Sequence, residues 1–507
     1  MNYKKNMSKV GSKYLVIVVL ILAVSIFLRF YNLQDLFIFG ADEEHQTTLA
    51  MTIVKDFHVI WIGVSAANLD FYLGPFWVYF TSFWLFLSKG DPLITGFIAS
   101  SIGVLTTLLI FLVGKKLFTT KVGLIASLLY ASLPLIVFFD RKYLTPTLIP
   151  LLSLTMLFSL HQIRYSDKWW ILFAAAFGLV FHTHLSLIFF GFLGLYFLIR
   201  DRKSLSKKVI VISSIVFLTI ISPLIAFDYF HKWSNITVPF RLLKSVNTEP
   251  FNVNLKLHSK SLFESLGRLW YLNPGTAISD EIPFDCSLIF TNAVSTRTKP
   301  SFWLSIMSLI LLCLFLLRKV TWKERSYRLL AISILSIIIP FLIFPGGAFE
   351  YYLLGFFPLF LFLPGIFLQN IKKWGEIIMV GMAVIFPLLG IYTIISTNMD
   401  FSFKVKRQLI SQVVKAVDGQ PFELKEDGIC HKYEGWRYLF SIYGKRPERS
   451  STDPALGWLY PEEITDKNTR YTVIVSETSA PLSYKMLESK DYKLVSSGGF
   501  TAYILEK

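Results

Sequence analysis

The sequence predicts an all-α polytopic membrane protein of about eleven transmembrane helices, with a small extracytoplasmic α+β domain at its C-terminal end. Three observations predict it. Apolar residues fill 54% of the 507 positions and aromatic residues 16%, with a mean hydropathy of +0.55. Long apolar runs recur from Tyr14 to about Ser396, each near the length that crosses a hydrocarbon core of roughly 30 Å. Lys and Arg gather in clusters between those runs, which is how a membrane chain sets its orientation.

The runs expected to span are 14–31, 93–113, 122–139, 144–161, 169–183, 185–199, 209–227, 301–317, 329–344, 351–368 and 377–396. The first follows Lys4, Lys5, Lys9 and Lys13 and shows no small-residue cleavage site before Arg29, so it reads as a retained span. The run 71–88 carries Gly74, Pro75, Trp77, Tyr79 and Trp84, a composition that suits the membrane interface. If it does not cross, the basic clusters 4–13, 115–121, 164–168, 200–208, 318–328 and 372–373 all fall on the cytoplasmic side. The chain is then expected in the inner (plasma) membrane, N-terminus inside. His182-Thr183-His184 suits a polar outer turn between two short spans, the alternative being one long tilted helix.

A membrane domain over 1–399 is therefore expected, with outer loops at about 32–92 and 228–300, followed by an extracytoplasmic domain over 400–507. Within the latter, 404–417 and 435–444 read as helices, and 471–476 and 501–505 as strands. The net charge of +16 forms no stripe on a soluble domain, so the expected partner is the bilayer and not nucleic acid. Cys286, Cys313 and Cys430 lack metal-ligand spacing. Cys313 reads as a packing residue, and the other two as free thiols that could also pair. No metal or cofactor is expected.

Asp, Glu, Lys and Arg are kept out of the expected span interiors, where ion-coupled carriers usually hold such groups. Chemistry is expected at the outer face instead. After the first span come Asp42, Glu43 and Glu44, whose crowding near a low-dielectric boundary can raise a carboxylate toward a general base. The plainer reading is an acidic helix start after Gly40. Asp140-Arg141-Lys142-Tyr143 puts a basic pair on the outer face, against the charge trend, as a lipid phosphate would require; ordinary snorkelling is the alternative. His182 and His184 share that face, as do Glu350, Tyr351 and Tyr352, which also suit an aromatic belt. Together these groups could transfer a sugar from a polyprenyl phosphate. A carboxylate takes a hydroxyl proton, cations stabilise the departing phosphate, and a single base opposite the leaving group gives inversion.

The order of these motifs resembles the GT-C superfamily of membrane glycosyltransferases. It runs from Asp42-Glu43 through Phe71-Tyr72-Leu73-Gly74-Pro75 and Gly114-Lys115-Lys116-Leu117-Phe118 to Asp140-Arg141-Lys142-Tyr143 and His182-Thr183-His184. It is most similar to the bacterial branch near the protein O-mannosyltransferases (glycosyltransferase family 39) and the lipid A aminoarabinose transferases. The resemblance covers about 10–400, and Gly435-Trp436-Arg437-Tyr438 with Tyr443-Gly444 is similar to the tail of bacterial members. It implies Asp42 as catalytic base and Glu43 as supporting acid. Arg141, with Lys142 and His184, would lie at the donor phosphate, and His182, Glu350, Tyr351 and Tyr352 would line the same cavity. It also implies a polyprenyl-phosphate sugar donor and, commonly, no bound metal. Leu73-Gly74-Pro75 departs from the His-Pro-Pro and Lys-Pro-Pro of those two groups, which leaves the acceptor open between protein, lipid and envelope glycan. Two other functions stay in view. A ligase or polymerase using lipid diphosphate-linked glycans would draw on Arg241 and Arg268 of the second loop. A carrier or flippase for lipid-linked sugars would need inverted repeats and midplane charges.

Overall fold

The structure is a computed structural model of the full chain, and it describes residues 2–65, 71–200, 205–238, 254–272, 300–344, 346–397, 400–426, 435–450, 468–478 and 491–507. Arg241, Cys286, Pro345 and Cys430 lie outside the described residues.

Helix α1 covers Asn2–Phe30, and α2 (Ala41–Asp56) and α3 (Phe76–Leu87) follow it. The bundle continues with α4 (Leu93–Leu117), α5 (Thr120–Ser132), α6 (Pro134–Arg141), α7 (Ile149–Gln162), α8 (Trp169–Thr183), α9 (Phe190–Arg200) and α10 (Lys207–Phe230). After α11 (Leu255–Arg268) come α12 (Phe302–Leu317), α13 (Arg325–Ile343), α14 (Phe356–Phe360), α15 (Phe362–Leu368) and α16 (Lys372–Ser396). Among the described residues four helices are long and apolar enough to cross a membrane, and α5 with α6 makes up to five as one span bent by 64°. Pro134 explains that bend, because proline can open a helix but cannot continue one. Apolar helices of 10–17 residues fill much of the remaining expected span sequence. Helix α3 has 12 residues, about 18 Å of rise, short of a full crossing.

The helices pack around one apolar core drawn mainly from α4 to α9 and α13 to α15. Gly114 and Gly123 let α4 and α5 close on each other: a Cβ on Gly114 would stand 2.6 Å from the Gly123 Cα. The chain breaks at His184 between α8 and the short 3-10 turn Leu185–Leu187, as the polar-turn reading expects and a single long helix does not.

Two expectations need correction. Arg29 lies in the last turn of α1, fully buried, so charge is not wholly excluded from the bundle. It is tolerated because Asp140 of α6 accepts from its Nε at 2.9 Å and from its Nη2 at 2.6 Å, while Tyr130 donates to the other Asp140 oxygen at 3.1 Å. Gly103 leaves the room: a Cβ there would stand 2.4 Å from Asp140 Oδ2. Cys313 is exposed on α12 and not a packing residue, because the buried positions of that helix are Ser305, Ser308, Leu312 and Phe315.

The C-terminal segment holds α17 (Phe403–Ala416), α18 (Trp436–Tyr443) and strands β1 (Phe422–Glu426), β2 (Arg449–Ser450), β3 (Tyr471–Glu477), β4 (Tyr492–Ser497) and β5 (Phe500–Glu506). They form one mixed sheet in the order β2-β1-β3-β5-β4, with β1 parallel to β2 and β3, and β5 antiparallel to β3 and β4. Gly498 and Gly499 make the two-residue turn between β4 and β5, where Gly498 takes φ +52°. Both expected helices and both expected strands occur. Strands β1, β2 and β4 were not expected; β4 is largely exposed and lacks a clean apolar alternation. The core of this segment is continuous with the stretch after α1: Phe37, Phe39 and Trp77, together with Tyr143, pack in one cluster with Phe403, Leu409, Trp436 and Tyr438.

Candidate active site at one end of the bundle

Gly40 precedes α2, and Asp42, Glu43 and Glu44 occupy the first turn. The positive end of the helix dipole and the open N–H groups there favour carboxylates. Glu43, three residues beyond Gly40, turns back so that its Oε2 accepts from the Gly40 N–H at 3.0 Å. One turn of helix sends the three acids in different directions. Asp42 is exposed, Glu43 is 2% exposed and Glu44 is 0% exposed. The second Glu43 oxygen is buried with no hydrogen-bond partner. Burial pushes the Glu43 carboxyl up from 4.5 to about 7; the Lys142 charge opposes this and the Asp42 charge adds to it. A group at about 7 can hold or release a proton near neutrality.

Residues 140–143 supply the second wall. Asp140 turns inward to Arg29. The Arg141 guanidinium lies under the end of α1, where its Nε donates to the Leu28 carbonyl at 3.1 Å and its Nη2 to the Tyr31 carbonyl at 2.9 Å. Those carbonyls belong to the negative end of α1, so a cation there caps the helix. The Arg141 Nη1 is buried without a partner. Lys142 is buried and acts on Glu43. Tyr143 shares a hydrogen bond of 2.6 Å with Thr81 and stacks on Trp77 at 4.8 Å, which joins this wall to α3.

The third wall is aromatic. His184 packs on Tyr352 at 5.0 Å and on Tyr351 at 5.7 Å, and its Nδ1 accepts from the Ser186 N–H at 3.2 Å. Asp42 lies within electrostatic reach of Tyr351 and of His45. Burial lowers His45 below the ordinary imidazole range, and Asp42 counters this.

Thus Asp42, Glu43, Lys142, His184, Tyr351 and Tyr352 are neighbours at one end of the bundle. Three other expected site residues are engaged in the scaffold. Arg141 caps α1. His182 accepts from the Phe76 N–H at 3.2 Å through Nδ1 and donates from Nε2 to the Ile220 carbonyl at 2.7 Å, so it is a neutral imidazole docking the Leu73-Gly74-Pro75 turn. Glu350 is buried against Arg268 at 3.0 Å, and Glu264 approaches the same arginine at 3.5 Å. Among the described residues no group of three or more His, Cys, Asp or Glu side chains could hold a metal ion.

Sequence reasoning missed Arg29 as the partner of Asp140, although a lone arginine ending an apolar run signals a buried partner. It also missed the contact of Glu44, whose Oε1 accepts from the Tyr438 N–H at 2.9 Å, and that of Lys406, which donates to the Phe39 carbonyl at 2.9 Å. No local signal marks a contact spanning that much sequence.

Comparison with known proteins agrees with this architecture. A family model described as dolichyl-phosphate-mannose-protein mannosyltransferase matches residues 73–227, which include the 140–143 wall and the His182–His184 turn. ArnT from Cupriavidus metallidurans, solved bound to undecaprenyl phosphate, aligns with a TM-score of 0.56 at 11% identity over 98% of each chain. Its apo structure gives 0.57 at 11% identity over 96% of this chain and 97% of that one. The Archaeoglobus fulgidus oligosaccharyltransferase, solved with Zn and sulfate, gives 0.55 at 14% identity over 96% of this chain and 72% of that one. No curated protein matches. The likeness is one of fold: over nearly its whole length this chain shares the fold of ArnT and of the archaeal oligosaccharyltransferase, and its residues 73–227 match the mannosyltransferase family model.

Proposed function

We propose that this GT-C-fold membrane protein is a glycosyltransferase that moves a sugar, with inversion, from a polyprenyl-phosphate donor to an extracytoplasmic hydroxyl. The observation that carries the reading is an exposed Asp42 beside a buried, partly unbonded Glu43, with the Lys142 cation acting on that same carboxyl. The solved ArnT bound to undecaprenyl phosphate supports the donor class.

In this mechanism Asp42 accepts the proton of the acceptor hydroxyl as its oxygen bonds to the anomeric carbon. The carbon–oxygen bond to the phosphate breaks, and the phosphate leaves with the electron pair. Lys142 stabilises the developing charge, at a boundary where water is scarce and each charge counts for more. Glu43 holds the turn through the Gly40 N–H and adjusts the field at Asp42. Arg141 positions the 140–143 wall by capping α1, with its Nη1 the one guanidinium nitrogen without a partner. His184, Tyr351 and Tyr352 offer ring faces to the sugar.

The membrane frame of the proposal has about eleven crossings, the N-terminus in the cytoplasm of an inner or plasma membrane, α3 at the outer interface and residues 400–507 outside. Arg268 is committed to Glu350 and Glu264, which gives the diphosphate-ligase reading no added support. The test is mass spectrometry of envelope glycans and lipids from a deletion strain complemented with wild type or Asp42→Asn. Loss of one sugar modification, restored by wild type alone, is expected. Restoration by Asp42→Asn overturns the base assignment, and an unchanged glycan profile overturns the function.

A further inference from the structure

The turn that carries Asp42 and Glu43 is held from the far end of the sequence. Helix α18 opens on Gly435, which has no side chain to cap it, so its first N–H groups need acceptors from elsewhere. One acceptor comes from α2. Glu44, fully buried, receives the Tyr438 N–H on Oε1 at 2.9 Å, placing a carboxylate where the α18 dipole favours one.

Further contacts converge on the same turn. Lys406, 1% exposed, donates to the Phe39 carbonyl at 2.9 Å, with its ammonium over the Trp436 ring at 5.0 Å and the Phe500 ring at 5.1 Å. The Phe403 N–H donates to the Phe37 carbonyl at 2.8 Å. Gly435 takes φ +80°, and a Cβ on it would stand 2.7 Å from the Phe39 ring and 3.2 Å from the Gly40 carbonyl. Tyr438 then reaches past α2 to donate to the Gly90 carbonyl at 2.8 Å, and Tyr443 bonds Asp91. The contacts flank Gly40 on both sides. Apolar packing alone would hold two modules together. A fully buried carboxylate adjacent to the catalytic pair is a costlier device, and it fixes one geometry.

We propose that Glu44 is a positioning residue: by capping α18 in trans it ties the Asp42–Glu43 turn to the C-terminal module, whose docking sets the geometry of the reacting groups. The inference rests on the proposed sugar transfer for its kinetic part and on the Glu44–Tyr438 contact alone for its structural part.

Two substitutions separate this role from chemistry by Glu44 itself. Glu44→Gln keeps a carbonyl oxygen for the Tyr438 N–H and loses the charge; Glu44→Ala loses the acceptor. The full-length protein is purified in detergent, checked for a single monodisperse species, and assayed for kcat, donor KM and amide hydrogen exchange over residues 436–443. Glu44→Ala is expected to speed exchange and lower kcat about 10- to 100-fold through misplacement, with donor KM nearly unchanged. Glu44→Gln is expected to keep both protection and turnover. Lys406→Met, which removes the bond to the Phe39 carbonyl but leaves an apolar stem, should repeat the kcat loss and serves if Glu44→Ala does not fold. Unchanged exchange in Glu44→Ala overturns the tie, whatever the activity. Wild-type kcat in a Glu44→Ala protein with fast exchange overturns the positioning role. A Glu44→Gln protein as inactive as Glu44→Ala, yet still protected, overturns it in favour of a charge-dependent role. Fast exchange in Glu44→Ala with no transfer by wild type confirms the tie and removes the function reading instead.

Discussion

Replacing Glu43 with glutamine isolates how strongly burial acts on that carboxyl. Its pKa moves from 4.5 to about 7, chiefly through desolvation. At about 1.4 kcal/mol per pH unit, this amounts to roughly 3 kcal/mol between the two protonation states. The sign follows from where the proton is held. The folded chain binds it more tightly than the unfolded chain, so the contribution to stability is complete below pH 4.5 and is lost as pH rises through about 7. Glutamine cannot titrate and lacks this loss. Its NH2 meets the site where the second Glu43 oxygen has no partner, a cost of about 1–3 kcal/mol that is the same at every pH. The informative quantity is therefore the wild-type-minus-variant difference in unfolding free energy at pH 5 against pH 8, from thermal unfolding in detergent. Wild type should lose roughly 2.5 kcal/mol relative to Glu43→Gln between the two. A difference constant to within about 0.5 kcal/mol would refute the reasoning, because Glu43 would then titrate as an ordinary carboxyl.

Arg29→Met should destabilise the fold by about 3–5 kcal/mol, since it leaves Asp140 buried and unpaired, and Asp140→Leu should recover part of that loss in the double variant; thermal unfolding of the double-mutant cycle measures the coupling. Gly74→Ala would place a Cβ 2.1 Å from His182 Nδ1 and break the docking of the 73–76 turn. It should cost about 1–3 kcal/mol, with His182→Ala relieving the clash in the pair; an unaltered melting temperature for Gly74→Ala counts against this docking. A cysteine at Lys116 should resist a membrane-impermeant reagent added outside, and ready labelling would invert the orientation.

The helical frame was legible because long apolar runs report directly on bilayer thickness. The acidic turn was legible for a local reason: Gly40 followed three residues later by Glu43 is a helix start, and helix starts collect carboxylates. Which acid faces which way was not legible. The direction of Asp42, Glu43 and Glu44 depends on whether Lys142, Tyr438 or solvent stands opposite, and those neighbours come from distant sequence. Arg141 and Lys142 illustrate the same limit. Both read as outer cations, yet adjacent side chains leave a helix end on different sides, so one caps α1 and the other acts on Glu43. The short spans were misjudged in length for a physical reason: Pro134 and the 3-10 turn at Thr145–Leu148 break continuous apolar sequence that periodicity alone cannot divide.

The central claim is that Asp42 takes the acceptor proton while a lipid phosphate departs. It is tested most directly by single-turnover release of polyprenyl phosphate from a radiolabelled polyprenyl-phosphate sugar, using purified full-length protein in liposomes with acceptor lipid and protein fractions from the same membrane. Wild type is expected to release the lipid phosphate, and Asp42→Asn to bind the donor with unchanged affinity while losing about 10²–10⁴-fold in rate. Release by Asp42→Asn at the wild-type rate would contradict the account.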